Sequence, residues 1–225
     1  MNKTPNMRLF LDTADRNAWR ECLSLGLFYG ITTNPIILEK AGITCSLSAL
    51  HQLATEAFEL GAKEFHAQVW GNTIADFITN GQQLAAIDSR LVVKVPITEV
   101  GIKAAKHLAL DNIPLTFTGL YSAHQVITAA ALGVNYAAPY LGRMDDNNRD
   151  GFGEITLMHK MLIGKKPTRL LVASLRHIKS IVTLAASGLD TFTISPEVTQ
   201  QLIDEPLTDK AAADFQAAAL RMTEK

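Results

Sequence analysis

Apolar residues along this chain follow two alternating rhythms. Short runs rich in β-branched and aromatic side chains occur at Met7-Leu11, Phe28-Ile31, Phe65-Val69, Leu91-Val95, Ile113-Phe117, Val134-Ala138, Arg169-Ala173 and Thr191-Ile194, and each reads as a buried strand. Between them the apolar positions recur at helical spacing near 15–25, 47–60, 73–88, 99–110, 121–132, 151–163 and 177–187, with further helix-like segments near 197–204 and 209–222. Asp12-Thr13-Ala14-Asp15 and Thr98-Glu99 supply capping chemistry at two helix starts, and Gly26, Gly61, Gly133 and Gly188 stand where helices should stop. Strands that are apolar on both faces and separated by helices require a parallel sheet covered by helices. Eight such repeats are the number that closes a (β/α)8 TIM barrel.

An open doubly wound sheet is the rival architecture, and it usually carries a glycine-rich turn after its first strand. Here the first strand runs into Leu11-Asp12-Thr13-Ala14-Asp15, and neither GxGxxG nor GxxxxGK[ST] occurs. No linker composition divides the chain, whose longest irregular stretch is expected around Met144-Asp150. Residues 1–225 are therefore expected to form one barrel domain, with 208–225 a helical tail whose Ala211, Ala212, Phe215, Ala218 and Leu220 make an apolar side.

With 225 residues and 48% hydrophobic content the chain can bury a full core, and a net charge of −1 without basic runs argues against nucleic-acid or membrane-surface partners. Met1-Asn2-Lys3-Thr4-Pro5-Asn6 lacks a secretory apolar stretch. No later run approaches the ~18 apolar residues of a membrane span, so a cytoplasmic protein is expected. The two cysteines, Cys22 and Cys45, have no CxxC spacing and read as free thiols. The six histidines are scattered, mostly in helical patterns where exposure is expected, and no cluster with ligand spacing is visible, so a metal-dependent mechanism is disfavoured.

Candidate chemistry gathers at the predicted C-terminal strand ends, where a TIM barrel carries its active site. Asp12 ends the first strand, Thr32-Thr33-Asn34 follow the second, and Gln68 and Lys94 lie near the ends of the third and fourth. Thr116 and Thr118 end the fifth, Tyr140 and Arg143 follow the sixth, Ser174 and Arg176 the seventh, and Ser195 the eighth. Lys94 is the anomaly among them, an ammonium set in the apolar run Leu91-Val92-Val93-Lys94-Val95-Pro96. Burial disfavours its charge, and a neutral amine can attack a carbonyl to form a Schiff base. Arg143, Arg176 and the Ser174 hydroxyl offer donors suited to an anionic tail.

The chain resembles the small transaldolase and fructose-6-phosphate aldolase family, which comprises class I, Schiff-base-forming TIM barrels. The resemblance rests on Leu11-Asp12-Thr13-Ala14, Gly30-Ile31-Thr32-Thr33-Asn34-Pro35, Val92-Val93-Lys94-Val95-Pro96, Ala138-Pro139-Tyr140-Leu141-Gly142-Arg143, Ala173-Ser174-Leu175-Arg176 and Pro206-Leu207-Thr208-Asp209-Lys210. It implies that Lys94 is the Schiff-base lysine and that Asp12 and Asn34 hold substrate hydroxyls and assist proton transfer. It also implies that Thr118 and Gln68 position a catalytic water, with Tyr140 beside them, and that Arg143, Ser174 and Arg176 bind phosphate. Thr32 and Thr116 complete the expected substrate-binding set. Gln68 and Tyr140 resemble the aldolase branch, whereas the two arginines resemble the small transaldolases. Thr116-Phe117-Thr118 matches neither branch. The implied activity is cleavage or transfer of a dihydroxyacetone unit of a ketose phosphate, without a cofactor, in a homo-oligomer, a pentamer or decamer docked through the terminal helix. The same arginines would suit the sulfonate of a sulfo-sugar, and a non-catalytic sugar-phosphate binder is the remaining alternative.

Overall fold

The computed structural model describes residues 7–164 and 168–223. Met1-Asn6 and the last two residues of the expected tail lie outside the described residues. Strands and helices alternate as β1 (Arg8–Asp12), α1 (Arg16–Ser24), β2 (Phe28–Thr32), α2 (Pro35–Lys40), α3 (Leu47–Glu59), β3 (Glu64–Gln68), α4 (Ile74–Ala85), β4 (Leu91–Pro96), α5 (Glu99–Leu110) and β5 (Leu115–Leu120). The order continues with α6 (Gln125–Leu132), β6 (Tyr136–Pro139), α7 (Leu141–Asp146), α8 (Gly151–Leu162), β7 (Arg169–Leu170), α9 (Ile178–Ala186), β8 (Thr191–Ile194), α10 (Pro196–Ile203) and α11 (Pro206–Thr223). All strand pairs are parallel, in the order β7-β6-β5-β4-β3-β2-β1-β8. A bridge from Val172 to Phe192 brings the two ends of the sheet together. The fold is a TIM barrel with an extra C-terminal helix.

Period-two alternation divides the strand residues between two cores. Leu91, Val93 and Val95 of β4 pack outward under the helices, as do Leu115 and Phe117 of β5 and Phe65 and Ala67 of β3. Phe10, Val92, Tyr136, Ala138, Tyr140, Leu171 and Ala173 fill the barrel interior. Lys94, two residues beyond Val92, shares the inward face. At Gly30 a methyl group would lie 2.2 Å from the Glu64 carbonyl oxygen and 3.0 Å from the Phe10 ring, so only glycine admits that ring to the interior.

Three differences from the sequence expectation have local causes. Two helices were not expected: α2 and α7 have six residues each, too short for a 3.6-residue period to register. Asn34 caps α2 and Pro35 opens it, a start signal hidden inside the Thr-Thr-Asn-Pro motif. Because α7 occupies Leu141–Asp146, the irregular stretch expected around Met144-Asp150 shrinks to the few residues before α8. The expected strand Arg169-Ala173 is regular only at Arg169–Leu170 and continues as isolated bridges at Val172 and Ala173. Helix α6 starts at Gln125, not 121, because Gln125 Oε1 accepts the backbone N–H groups of Tyr121 and Ser122 and holds them in a turn.

No helix among the described residues is long and apolar enough to cross a membrane. Helix α11 has no buried residue, and Leu207, Phe215 and Met222 stand more than 70% exposed upon it.

Candidate active site

Lys94 lies at the C-terminal end of the barrel interior, 5% exposed. Its Nζ donates to the Thr33 carbonyl oxygen at 2.7 Å. Burial drives its proton affinity below that of an ordinary lysine; the Asp12 carboxylate opposes that shift and the Arg143 cation reinforces it. The amine is thus held by one backbone acceptor and biased toward its neutral, nucleophilic form.

The polar residues expected at the strand ends surround it at several depths. The Thr32 hydroxyl donates to Asp12 Oδ1 at 2.6 Å and lies 2.5 Å from the Thr193 hydroxyl, so β1, β2 and β8 are tied together at the mouth. Asn34 Oδ1 accepts from the Ile37 backbone N–H at 3.0 Å, which commits the amide oxygen to capping α2 and leaves its NH2 as donor. Gln68 is the register partner of Lys94 on the neighbouring strand. The Thr118 hydroxyl makes a short hydrogen bond with the Tyr140 hydroxyl. Burial raises the Tyr140 phenol above its usual range, against the pull of the Thr118 hydrogen bond. The Arg143 guanidinium lies 5.0 Å from the centre of the Tyr140 ring and reaches the Tyr121 hydroxyl at 3.4 Å.

Thr116 sits deeper. It is fully buried, and its hydroxyl meets His66 Nδ1 at 3.1 Å. His66, which lies in a predicted strand and not in a helical pattern, points into the barrel with no exposed surface. Its Nε2 lies 3.1 Å from Glu64 Oε2, which also accepts from the Tyr136 hydroxyl at 2.8 Å. Arg8 completes the group, donating to Glu64 at 3.4 Å and to the Tyr136 hydroxyl in a short contact. This column below the mouth was not anticipated, although Glu64-Phe65-His66-Ala67-Gln68 carries a polar residue at every second position, the signal of a polar face turned inward.

On the far side of the mouth, Ser174 adopts φ +58°, a left-handed backbone that serine takes only under constraint. Its carbonyl oxygen accepts from the Gly142 N–H at 2.8 Å, fastening the loop after β7 to α7. Arg176 Nη1 donates to Asp146 Oδ1 at 2.6 Å, and Nη2 makes a short contact with Asp146 Oδ2. A cavity of about 420 Å³ runs along this side, lined by Asp12, Ser174, Arg176, Thr193, Ser195 and Lys40. Lys40, on the unexpected helix α2, is a cation that the sequence reading did not bring to the site.

Comparison with known proteins decides the family. The profile described as Transaldolase/Fructose-6-phosphate aldolase matches residues 9–225. The chain belongs to this enzyme family. Proteins named "Probable transaldolase" are 35% identical in Thermus thermophilus, over 90% of this chain and 93% of the relative, and 33% identical in Cytophaga hutchinsonii, over 94% and 97%. Among solved structures, the thiamine phosphate pyrophosphorylase from Pyrococcus furiosus matches with a TM-score of 0.61 at 14% identity, covering 88% of this chain and 94% of that one. A mandelate oxidase matches at 0.58 and 10%, over 85% of this chain and 65% of that one. At such identities the likeness speaks for the barrel fold alone. Membership of an enzyme family disfavours the non-catalytic binding barrel.

Proposed function

We propose that the protein is a class I aldol enzyme that forms a Schiff base between Lys94 and the carbonyl of a ketose phosphate. Lys94 Nζ attacks C2, water leaves, and the iminium withdraws electrons as the C3–C4 bond breaks. Asp12 takes the proton of the C4 hydroxyl, and an aldehyde departs. The remaining dihydroxyacetone enamine is either protonated and hydrolysed or captured by a second aldehyde. Asn34 meets substrate hydroxyls, Thr32 serves the substrate through its hydrogen bond to the Asp12 carboxylate, and Thr116 lines the floor of the site. The Thr118 and Tyr140 hydroxyls, with Gln68, hold the water that moves protons, while Arg143, Ser174 and Arg176 take the anionic tail. No cofactor enters the cycle, and a cytoplasmic setting suits such sugar-phosphate chemistry.

The observation that carries this reading is Lys94 itself, an amine with depressed proton affinity buried at the catalytic end of a barrel beside a carboxylate. Borohydride added during incubation with fructose 6-phosphate is expected to fix a three-carbon adduct on Lys94, read by mass spectrometry. A chain that stays unmodified with several ketose donors would refute the mechanism.

The fate of the enamine turns on Gln68 and Tyr140. A neutral amide is a weaker proton-transfer group than a carboxylate, and a protonated phenol can shuttle a proton through water, so this pair favours hydrolysis. Gln68→Glu should shift products from free dihydroxyacetone toward sedoheptulose 7-phosphate when erythrose 4-phosphate is supplied, by about tenfold in ratio. An unchanged ratio would remove Gln68 from that role.

We further propose that α11 docks on neighbouring copies of this chain. Supporting this, its apolar side is left without a partner on its own barrel. A chain truncated after Glu205 should fall to a lower mass in light scattering, and an unchanged mass counts against docking.

A further inference from the structure

Arg176 is already engaged by a carboxylate, and the geometry of that engagement is informative. Asp146 takes the two terminal nitrogens of the guanidinium, one oxygen to each. This end-on fork leaves the Nε–H edge unused. Both side chains are about half exposed, and ion pairs so exposed add little to stability. The pair does little for the fold, yet it fixes the rotation of the guanidinium.

The Nε atom itself lies at a defined place. A methyl group on Gly142 would lie 2.9 Å from Arg176 Nε, 3.1 Å from Ser174 Oγ and 2.4 Å from the Ser174 carbonyl oxygen. Arg176 Nε and Ser174 Oγ therefore lie close together over the bare Cα of Gly142, beside the cavity that Asp12 also lines. Ser174 is brought there by its left-handed backbone and by the Gly142 N–H bond to its carbonyl. Asp146 and Arg143 stand three residues apart on α7, so one short helix carries both an anion-binding arginine and the carboxylate that aims the other.

We infer that Asp146 is a positioning residue for the anionic-tail subsite: its carboxylate grips Arg176 end-on and so presents the Nε–H edge, together with Ser174 Oγ over Gly142, to a phosphate group. This rests on the proposed ketose-phosphate reading. It adds that selectivity for a phosphorylated substrate passes through a residue that does not touch it.

The test is a double-mutant cycle read as selectivity, the ratio of kcat/KM for fructose 6-phosphate to that for unphosphorylated fructose. Asp146→Ala should lower this ratio about tenfold, chiefly through KM for the phosphorylated ketose. In an Arg176→Ala background the same substitution should change it less than twofold, and Asp146→Glu should recover most of the loss. A ratio that rises, showing that the carboxylate competes with the tail, would overturn the inference. So would an unchanged ratio, or equal losses in both backgrounds, which would mark a merely structural role. The same cycle read by phosphorus NMR with inorganic phosphate needs no turnover. Absence of any borohydride adduct on the unmodified protein would sink the Schiff-base reading, whereas loss of the cycle in phosphate binding would sink this one.

Discussion

Lys94→Met is expected to abolish borohydride trapping and to lower turnover of a ketose phosphate by roughly 10⁴-fold or more, the scale of losing a covalent nucleophile, while the protein melts at the same or a higher temperature. The nucleophile is what splits a difficult carbon–carbon cleavage into easier steps, and no neighbour can replace it. Lys94→Arg should not rescue, because a guanidinium stays protonated and forms no iminium. Stability moves the other way because the amine is buried against the Thr33 carbonyl, and holding a charge out of water costs free energy that an apolar side chain of similar length does not. A clear fall in melting temperature would show that Lys94 holds the mouth together rather than straining it.

The pH dependence of trapping follows from the same residue. Its proton affinity lies below the ordinary 10.5, lowered by burial, raised in part by Asp12 and lowered further by Arg143. Trapping should rise with pH and level off below 10.5. Asp12→Asn removes the opposing charge and should move that midpoint down, whereas Arg143→Met should move it up.

How far the sequence carried can be seen at particular residues. Eight strands were legible because each is an apolar run flanked by stop signals, and Lys94 stood out as a charge with a valine on either side of it. Period two on β3 and β5 could have brought Glu64, His66 and Thr116 to the barrel interior as well. Counting histidines by element type concealed this, because the polar stripe Glu64-His66-Gln68 becomes visible only when alternate positions are read as one face. The partnership of Arg176 and Asp146 had no such signal. It joins residues 30 apart, through a six-residue helix that leaves no periodic trace. The convergence of Ser174 and Arg176 on Gly142 depends likewise on a left-handed backbone at a serine, a conformation that residue type alone argues against.

Glu64→Leu is expected to destabilise the fold by about 3–5 kcal/mol, the typical loss on removing one partner from a buried charged network, which for a domain of this size means a melting temperature lower by roughly 6–20 °C. Glu64 accepts from His66 Nε2, the Tyr136 hydroxyl and Arg8. Without it those three donors are left beneath the active site, with Arg8 and Glu64 each only about one-fifth exposed. Changing the group together, Arg8→Met with Glu64→Leu, His66→Phe, Tyr136→Phe and Thr116→Val, should recover much of the loss, because these donors are then removed along with their acceptors. Burial pushes the Glu64 carboxyl up, but hydrogen bonds from His66 and Tyr136 and the Arg8 charge outweigh it and leave it below its ordinary 4.5. Its contribution is complete above 4.5 and is lost as pH falls through the folded value. His66 is held below its ordinary 6.5, first by burial and further by the Lys94 and Arg8 charges, against the pull of Glu64. Below 6.5 the unfolded chain therefore takes up its proton first, and stability falls with pH there too. Denaturant titrations across pH should show stability declining from about 6.5 downward in two arms. His66→Phe should flatten the upper arm and leave the one below 4.5, and an upper arm that persists in this variant would assign it to another group.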